Sequence, residues 1–313
     1  MKKVLVTGGL GFIGSNLVEK LKKEVSVVVV DNLSSSRDDW PEIVEKNKEV
    51  EYVKTCFSST DIKKRIESQE FDVIFHIAAV PRVGYSVENP SETTDINVGK
   101  TISLIESSNI GSVSRFIFSS SSSVYGSAEK LPTPASLKKE PQSPYAWQKS
   151  CVEDFIKMSS TLYDMDGVSL RYFNVFGPGQ FGGSSYATAV SAWCNAVKTG
   201  ASLRSDGTGD QTRDMCYIDN VVEANILAMK AKKTFQGQCY NVACGDSVSN
   251  NEILKAFLER FPNIEIKNAP FRKGDVMHTM ADINDTKRDL GYQPSVRFWK
   301  GLEHTFDWWG LNK

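Results

Sequence analysis

The sequence predicts an α/β chain built on a parallel sheet with helices on both faces, followed by a smaller α/β substrate domain at the carboxy terminus. Three observations predict it. Apolar runs rich in branched residues recur at Val4–Val6, Val25–Val30, Val73–Ala78, Phe116–Ser119 and Val168–Phe173, with helically spaced polar stretches between them. That alternation is the mark of β-α-β units whose strands are covered on both sides. Four glycines crowd the first turn. From about Gly177 the texture changes to glycine-rich loops.

The first strand, Val4–Val6, runs into Thr7-Gly8-Gly9-Leu10-Gly11-Phe12-Ile13-Gly14, and a helical pattern follows from Ser15 to Lys22. In such a turn Gly8 allows the tight bend, Gly11 the close approach of backbone to a diphosphate, and Gly14 the packing of helix on strand. The helix amino terminus then faces the phosphates. An ordinary turn has glycines too, so the next strand matters. Val25–Val30 ends at Asp31-Asn32, 17 residues beyond Gly14, where a carboxylate can accept from both hydroxyls of an adenosine ribose and repel a 2′-phosphate. This is the pattern of a Rossmann-type doubly wound parallel sheet, and it favours NAD over NADP. Arg37, close behind, offers a charge that could neutralise a 2′-phosphate, and Asp31-Asn32 could also serve as strand-end turn residues.

The strand Phe116–Ser119 continues into serines and then Val124-Tyr125-Gly126. In open parallel sheets ligands lie beyond the carboxyl ends of the strands, so these hydroxyls either line a site or solvate a turn. Ser143-Pro144-Tyr145-Ala146-Trp147-Gln148-Lys149 opens the next helix. Tyr145 and Lys149 are four apart and share a helix face. A tyrosine titrates near pH 10 in water, and a lysine ammonium beside it favours the phenolate, a general base at neutral pH. As an isolated match the pair is also an ordinary helix-surface pattern. Beyond Gly177 the spacing predicts a helix over Tyr186–Thr199, a loop over Arg204–Arg213, and a strand and helix over Tyr217–Lys232 that rejoin the first domain. The domain division is therefore 1–173 plus about 214–242 for the cofactor, and about 174–213 plus 243–313 for the substrate.

Composition excludes other classes. The 313 residues, 40% of them hydrophobic, suffice for a large core. With 37 Lys and Arg against 38 Asp and Glu, no net field recruits nucleic acid or an anionic membrane. The longest strongly apolar run, Val25–Val30, is far too short to span a bilayer, and the opening MKKVLVTGG reads as a strand rather than a signal. Cys56, Cys151, Cys194, Cys216, Cys239 and Cys244 form no CxxC pair, and with three histidines they give no metal-ligand spacing. A reduced, metal-free cytoplasmic protein is expected.

Taken together these residues resemble the extended short-chain dehydrogenase/reductase family, in particular its nucleotide-sugar 4-epimerases. The resemblance spans the chain: the glycine turn, Asp31-Asn32, HIAAVPR at His76–Arg82, SSSSSVYG, SPYAWQK, RYFNVFGPGQ at Arg171–Gln180, SDGTGDQTRD at Ser205–Asp214 and RKGDVMHTMAD at Arg272–Asp282. It implies Tyr145 as base, Lys149 as its partner and nicotinamide-ribose ligand, and Ser121 as the hydroxyl on the reacting O4. It implies Gly8, Gly11, Phe12, Ile13, Gly14, Asp31, Asn32, Ala78, Asn97 and Phe173 around NAD. It further implies Arg82, Ser122, Asn174, Arg213, Arg272, Asp275 and Thr279 around a UDP-sugar, where an arginine fork suits two phosphate oxygens.

The implied reaction is C4 epimerisation of a UDP-hexose through a 4-keto sugar, with NAD regenerated each cycle. Ser122 and Ser123 stand where the family's 4,6-dehydratases carry an Asp-Glu pair and its UDP-glucuronate decarboxylases a glutamate. Asn174 stands where UDP-glucuronate 4-epimerases usually have threonine. A small Thr279, where an aromatic restricts the pocket to glucose and galactose, implies space for a 2-acetamido group and the pair UDP-GlcNAc/UDP-GalNAc, with UDP-Glc/UDP-Gal also open. The alternatives are a UDP-glucuronate 4-epimerase or other nucleotide-sugar oxidoreductase, or an NAD-binding protein without chemistry. One departure concerns Cys56: it stands at the place of an adenine-contacting Asp, so that contact is either lost, weakening NAD retention, or taken over by Asp61 after a loop adjustment. The resemblance also implies a homodimer that pairs helices near Thr93–Ser108 and Tyr145–Tyr163 into a four-helix bundle, with Trp147, Phe155 and Leu162 offering apolar surface.

Overall fold

The computed structural model describes residues 2–182, 188–271 and 276–311. In chain order the first half runs β1 (Lys3–Thr7), α1 (Phe12–Leu21), β2 (Ser26–Asp31), α2 (Trp40–Lys46), β3 (Glu51–Lys54), α3 (Thr60–Glu67), β4 (Val73–His76), α4 (Val83–Glu88) and α5 (Pro90–Thr94). A π-helical turn (Asp95–Lys100), α6 (Thr101–Ile110), β5 (Arg115–Ser121), a 3-10 turn (Ser122–Tyr125), α7 (Pro144–Leu162) and β6 (Gly167–Tyr172) complete it. The second half reads β7 (Asn174–Phe176), α8 (Ala189–Thr199), β8 (Leu203–Asp206), β9 (Thr212–Arg213), β10 (Met215–Tyr217), α9 (Ile218–Lys230) and β11 (Gln238–Val242). It closes with β12 (Val248–Ser249), α10 (Asn250–Arg260), β13 (Ile266–Ala269), α11 (Asn284–Leu290) and α12 (Phe298–Trp309).

Seven strands form one sheet in the order β11-β6-β5-β4-β1-β2-β3, with every pair parallel. Continuous valine runs become its centre because alternate side chains enter different cores. Val4, Val6, Val27 and Val29 join Leu17, Leu21 and α9 on one face, while Leu5, Val28 and Val30 join Ile62, Ile66, Leu104 and Ile105 on the other. The order in which strands are added reverses between β1 and β4, so a crevice opens beyond the carboxyl ends of these strands.

The seventh strand is fixed by a buried arginine. Arg115 of β5 bonds Asp166 through Nε at 2.9 Å, and donates to the carbonyls of Ala228, Met229, Ala231 and Lys233 at the end of α9. A guanidinium there satisfies orphan carbonyls and opposes the negative end of the helix. The turn into β11 is thereby held against β6.

Outside the main sheet, three two-stranded ladders build the rest: β7 with β10, β9 with β12, and β8 with β13. This corrects the expected loop over Arg204–Arg213, which contains β8 and β9. Their strand character comes from partners far along the chain, which local pattern cannot reveal. The helix expected over Tyr186–Thr199 is α8 over its described residues, ended by Gly200 at φ +70°. The first helix begins at Phe12 rather than Ser15, because Gly11 is already its extended N-cap.

Candidate active site

The glycine turn is a cradle made by steric exclusion. Gly8 has φ +72°, and a Cβ on it would sit 2.8 Å from the Ala78 backbone. A Cβ on Gly14 would lie 2.1 Å from the Gly8 carbonyl oxygen, so α1 rests directly on the turn. Over Gly11 a Cβ meets no heavy atom nearer than 3.4 Å, which leaves the N-cap of α1 open to a ligand. Phe12 and Ile13 follow in the first turn, half-buried against the core.

Asp31 ends β2 almost wholly buried. Its two carboxylate oxygens accept from the Leu10 N–H at 3.0 Å and the Leu33 N–H at 2.8 Å. Burial raises its pKa, and those two N–H donors counter the shift. The oxygens are thus aimed across the glycine turn. Asn32 is exposed and turns back onto Ser34, through its N–H at 3.1 Å and its hydroxyl at 2.8 Å. Arg37 is occupied: Nε and Nη2 reach Asp39 at 2.7 and 2.5 Å, and its guanidinium lies 5.8 Å from the Trp308 ring. The charge available for a 2′-phosphate is therefore neutralised by Asp39, whose own pKa is lowered chiefly by that hydrogen bond. Cys56, just past β3, lies with Sγ 3.3 Å from the Ser58 hydroxyl, and Asp61 stands in the first turn of α3.

The opposite wall is α7. Ser143 caps it by accepting from the Ala146 N–H at 3.2 Å, and Pro144 presets the first turn. Tyr145 consequently stands at the positive end of the helix, 9% exposed, its own N–H donating to the Ser86 hydroxyl. One turn on, the Lys149 ammonium lies 5.8 Å from the Tyr145 ring and 4.6 Å from the Phe118 ring, and donates to the Ser119 carbonyl at 2.6 Å. Burial pushes Lys149 down to about 7, with Glu153 pulling it back up. Ser121, at the end of β5, accepts from the N–H and hydroxyl of Ser123 at 3.2 and 2.9 Å, and Ser122 is half-buried beside it.

Two polar networks that sequence reasoning missed hold this wall. His76 at the end of β4 bridges the hydroxyls of Thr7 and Thr101 at 2.8 and 2.9 Å, and burial, then the Lys149 charge, pushes it down to about 3. It is a neutral strut between the glycine turn and α6. Glu153, one turn after Lys149, accepts from the Ser120 hydroxyl at 2.5 Å and from Arg171 at 2.8 and 2.7 Å. Arg171 in turn donates to the Tyr125 hydroxyl at 2.8 Å. The sequence contained a clue, since Glu153 and Arg171 are charged residues inside otherwise apolar periodic segments.

The remaining sequence-predicted residues fall as follows. Asn97 is buried with its amide spent on the Val80 N–H and carbonyl and on Gln148, so it fixes the loop that carries Ala78 and Arg82. Arg82 is exposed at the N-cap of α4. Phe173 is buried, its ring 6.4 Å from Tyr125, and Asn174 begins β7 next to it. Arg213 donates to the carbonyls of Thr212 and Met277 at 2.9 and 3.2 Å. Thr279 is joined to the same strand through the Thr212 carbonyl and the Asp214 N–H. Arg272 and Asp275 lie outside the described residues. Among the described residues one group, Asp214, Cys244 and Asp246, has ligating atoms within 4.8 Å of one another. The Asp214 oxygens are already filled by three backbone N–H donors.

Residues 4–243 match the NAD dependent epimerase/dehydratase family. The UDP-glucose 4-epimerase of Mycolicibacterium smegmatis is 33% identical over 309 residues, 97% of each chain. Among solved structures, the UDP-N-acetylglucosamine 4-epimerase from Methanobrevibacter ruminantium M1, in complex with UDP-N-acetylmuramic acid, superposes with a TM-score of 0.91 at 32% identity, covering 100% of this chain and 99% of its own. The UDP-glucuronic acid 4-epimerase from Bacillus cereus, in complex with UDP-glucuronic acid and NAD, gives 0.90 at 27% identity, covering 98% and 99%.

Proposed function

The chain belongs to the NAD dependent epimerase/dehydratase family, within the extended short-chain dehydrogenase/reductases, and on that premise we propose that it interconverts the C4 epimers UDP-GlcNAc and UDP-GalNAc. It is an enzyme of the UDP-sugar 4-epimerase type that uses NAD. The observation that carries the reaction is the Tyr145–Lys149 pair, one helical turn apart and buried beyond the carboxyl ends of β4 and β5.

Residues 1–173 with about 214–242 hold the cofactor, and about 174–213 with 243–313 the sugar nucleotide. The open N-cap at Gly11 receives the diphosphate, Asp31 and Asn32 the adenosine ribose, and Ala78, Phe173 and Lys149 border the nicotinamide end. Bound there, NAD would supply a reversible hydride acceptor for C4 of the sugar. Tyr145 takes the O4 proton as its phenolate, favoured by the Lys149 ammonium and the helix terminus. Ser121 hydrogen-bonds O4 and holds it against Tyr145. When hydride returns, Tyr145 gives the proton back, so the chain ends each cycle in its starting state.

The sugar is chosen by Thr279 and Asn174. Thr279 is half-buried beside Asp214 with a short side chain, which leaves space for a 2-acetamido group. Asn174 offers no positive charge to a glucuronate. UDP-Glc/UDP-Gal fits the same space as a secondary pair.

Exposed apolar side chains on two neighbouring helices support a homodimer. Trp147, Met158, Leu162 and Tyr163 on or just after α7, with Val83 and Val87 on α4, are each 42–62% exposed. Phe155 packs on the core instead. Six unpaired cysteines, and no helix long and apolar enough to cross a membrane among the described residues, accord with a cytoplasmic setting.

The test is to incubate the purified protein, without added NAD, with UDP-GlcNAc or with UDP-Glc and follow the anomeric proton signals. UDP-GalNAc appearing faster than UDP-Gal is the expected result. Silence in both samples after NAD is supplied removes the epimerase assignment.

A further inference from the structure

Asp214 is a buried carboxylate that the chemistry above does not use. It is fully buried between β9 and β10. Oδ1 accepts from the Cys244 N–H at 2.9 Å, and Oδ2 from the N–H groups of Gly245 and Ala281, each at 3.0 Å. Its own N–H donates to the Thr279 hydroxyl at 3.1 Å. One residue thus fastens three stretches that are far apart in sequence: the strand of Arg213, the turn after β11, and the segment that leads from Thr279 to Ala281.

The strand of Arg213 and the 277–279 segment also exchange backbone hydrogen bonds at Thr212, at 2.9 and 3.1 Å, and β9 pairs with β12. Those ladders are short: β9 and β12 are two residues each, and Thr212–His278 and Thr133–Ala281 are isolated bridges. Ladders this short do not hold a shape alone. Three N–H donors converging on one carboxylate are enough to define a single arrangement, because an ionised carboxylate accepts from all three and leaves no N–H unpaired.

We propose that Asp214 is the positioning residue of the sugar-nucleotide wall, holding Arg213 and Thr279 in the arrangement that binds substrate, so that it governs affinity rather than turnover. This rests on the reading that Arg213 and Thr279 meet the UDP-sugar. The groups facing it are consistent with a carboxylate held by dipoles rather than by a countercharge. Cys216 lies on β10, Cys244 and Asp246 on the turn after β11, and Tyr292 beyond α11, while Arg297 engages Asp246 and the Cys244 carbonyl. Burial pushes Asp214 up to about 7, against the pull of its three N–H donors, with Asp246 adding to the rise. The ionised form, which satisfies all three donors, is therefore the one populated above neutrality.

The experiment measures UDP binding by calorimetry and UDP-sugar turnover in wild type and Asp214→Asn, at pH 8, with NAD content and circular dichroism as checks on the fold. The amide keeps the size of the side chain and puts an N–H donor against N–H donors. UDP affinity is expected to fall about 10- to 100-fold, the range over which the outer partners of a binding group act, with kcat at saturation within about three-fold of wild type. Unchanged UDP affinity with a folded variant overturns the proposal, as does a loss confined to kcat. If wild type itself fails to bind UDP, the sugar-nucleotide reading fails first.

Should Asp214→Asn not fold, Tyr145→Phe supplies the answer, because it allows UDP-GlcNAc binding to be measured without turnover. The diphosphate of UDP-GlcNAc keeps its charge between pH 6 and 8. Affinity is then expected to weaken about ten-fold from pH 8 to pH 6, following protonation of a group with a pKa of about 7. A flat or strengthening profile overturns the proposal.

Discussion

Two buried carboxylates, Glu153 behind the catalytic helix and Asp214 behind the sugar-nucleotide wall, are satisfied by opposite means. Glu153 faces a guanidinium on two oxygens and a hydroxyl on one. Asp214 has only backbone dipoles. The first arrangement ties β5, β6 and α7 together with a full countercharge, and belongs to a region whose strands are already locked by neighbours on both faces. The second gathers short ladders into one wall. The half built on the seven-stranded sheet is therefore held by packing, and the half built on short ladders leans on polar junctions such as Asp214. A junction whose charge is uncompensated responds to pH in a way that a paired charge does not.

The comparison yields graded expectations. Tyr145→Phe removes the proton acceptor from the rigid half and should lower turnover about 10²- to 10⁴-fold while NAD stays bound, measured by the anomeric proton assay and by cofactor content after denaturation. NAD lost along with turnover would show that Tyr145 is part of the scaffold instead. Glu153→Gln strands Arg171 without its partner and should cost about 3–5 kcal/mol of stability, read from the urea midpoint. A cost under about 1 kcal/mol would remove the countercharge from the contrast drawn above.

Gly14→Ala forces a Cβ against the Gly8 carbonyl and should cost about 1–3 kcal/mol through the strained turn, lowering NAD affinity more than UDP affinity in calorimetry. Thr279→Tyr should reduce the UDP-GlcNAc to UDP-Glc preference about 10- to 100-fold in kcat/KM, a change of pocket shape and not of chemistry.

The smallest effect concerns stability. Burial raises the folded pKa of Asp214 to about 7, well above the ordinary carboxylate range. Its contribution to stability is complete below the unfolded pKa and is lost as pH rises through about 7. The melting temperature of wild type minus that of Asp214→Asn should consequently shrink by a few degrees between pH 5 and pH 8. A difference that stays flat from pH 5 to pH 8 would mean that the carboxylate is ionised throughout and that its three N–H donors outweigh burial.

The legibility of the two halves in the sequence follows the same division. Sheet strands buried on both faces leave unbroken apolar runs, and the Gly8–Gly14 turn and Asp31 follow at the ends of β1 and β2, so the strands and the glycine turn are legible residue by residue. Tyr145 and Lys149 were readable because a helix converts a spacing of four into neighbourhood. Nothing comparable marks Asp214: its partners are Cys244, Gly245 and Ala281, and each contributes only a backbone N–H that any residue except proline supplies. β8 and β9 were expected as loop for the same reason, since their partners β13 and β12 lie elsewhere in the chain. Asn97 was assigned to the cofactor on resemblance, but its amide is occupied by Val80 and Gln148.

The Arg115 junction imposes an order on synthesis. Arg115 is made more than a hundred residues before the carbonyls of Ala228, Ala231 and Lys233 that receive it. Until β11 emerges from the ribosome, β6 is an open edge, and until the end of α9 is made the guanidinium has Asp166 alone among these partners. A nascent chain or a fragment ending before about residue 242 should then expose a long, flat, hydrophobic strand edge, the surface that chaperones hold and that aggregates grow from.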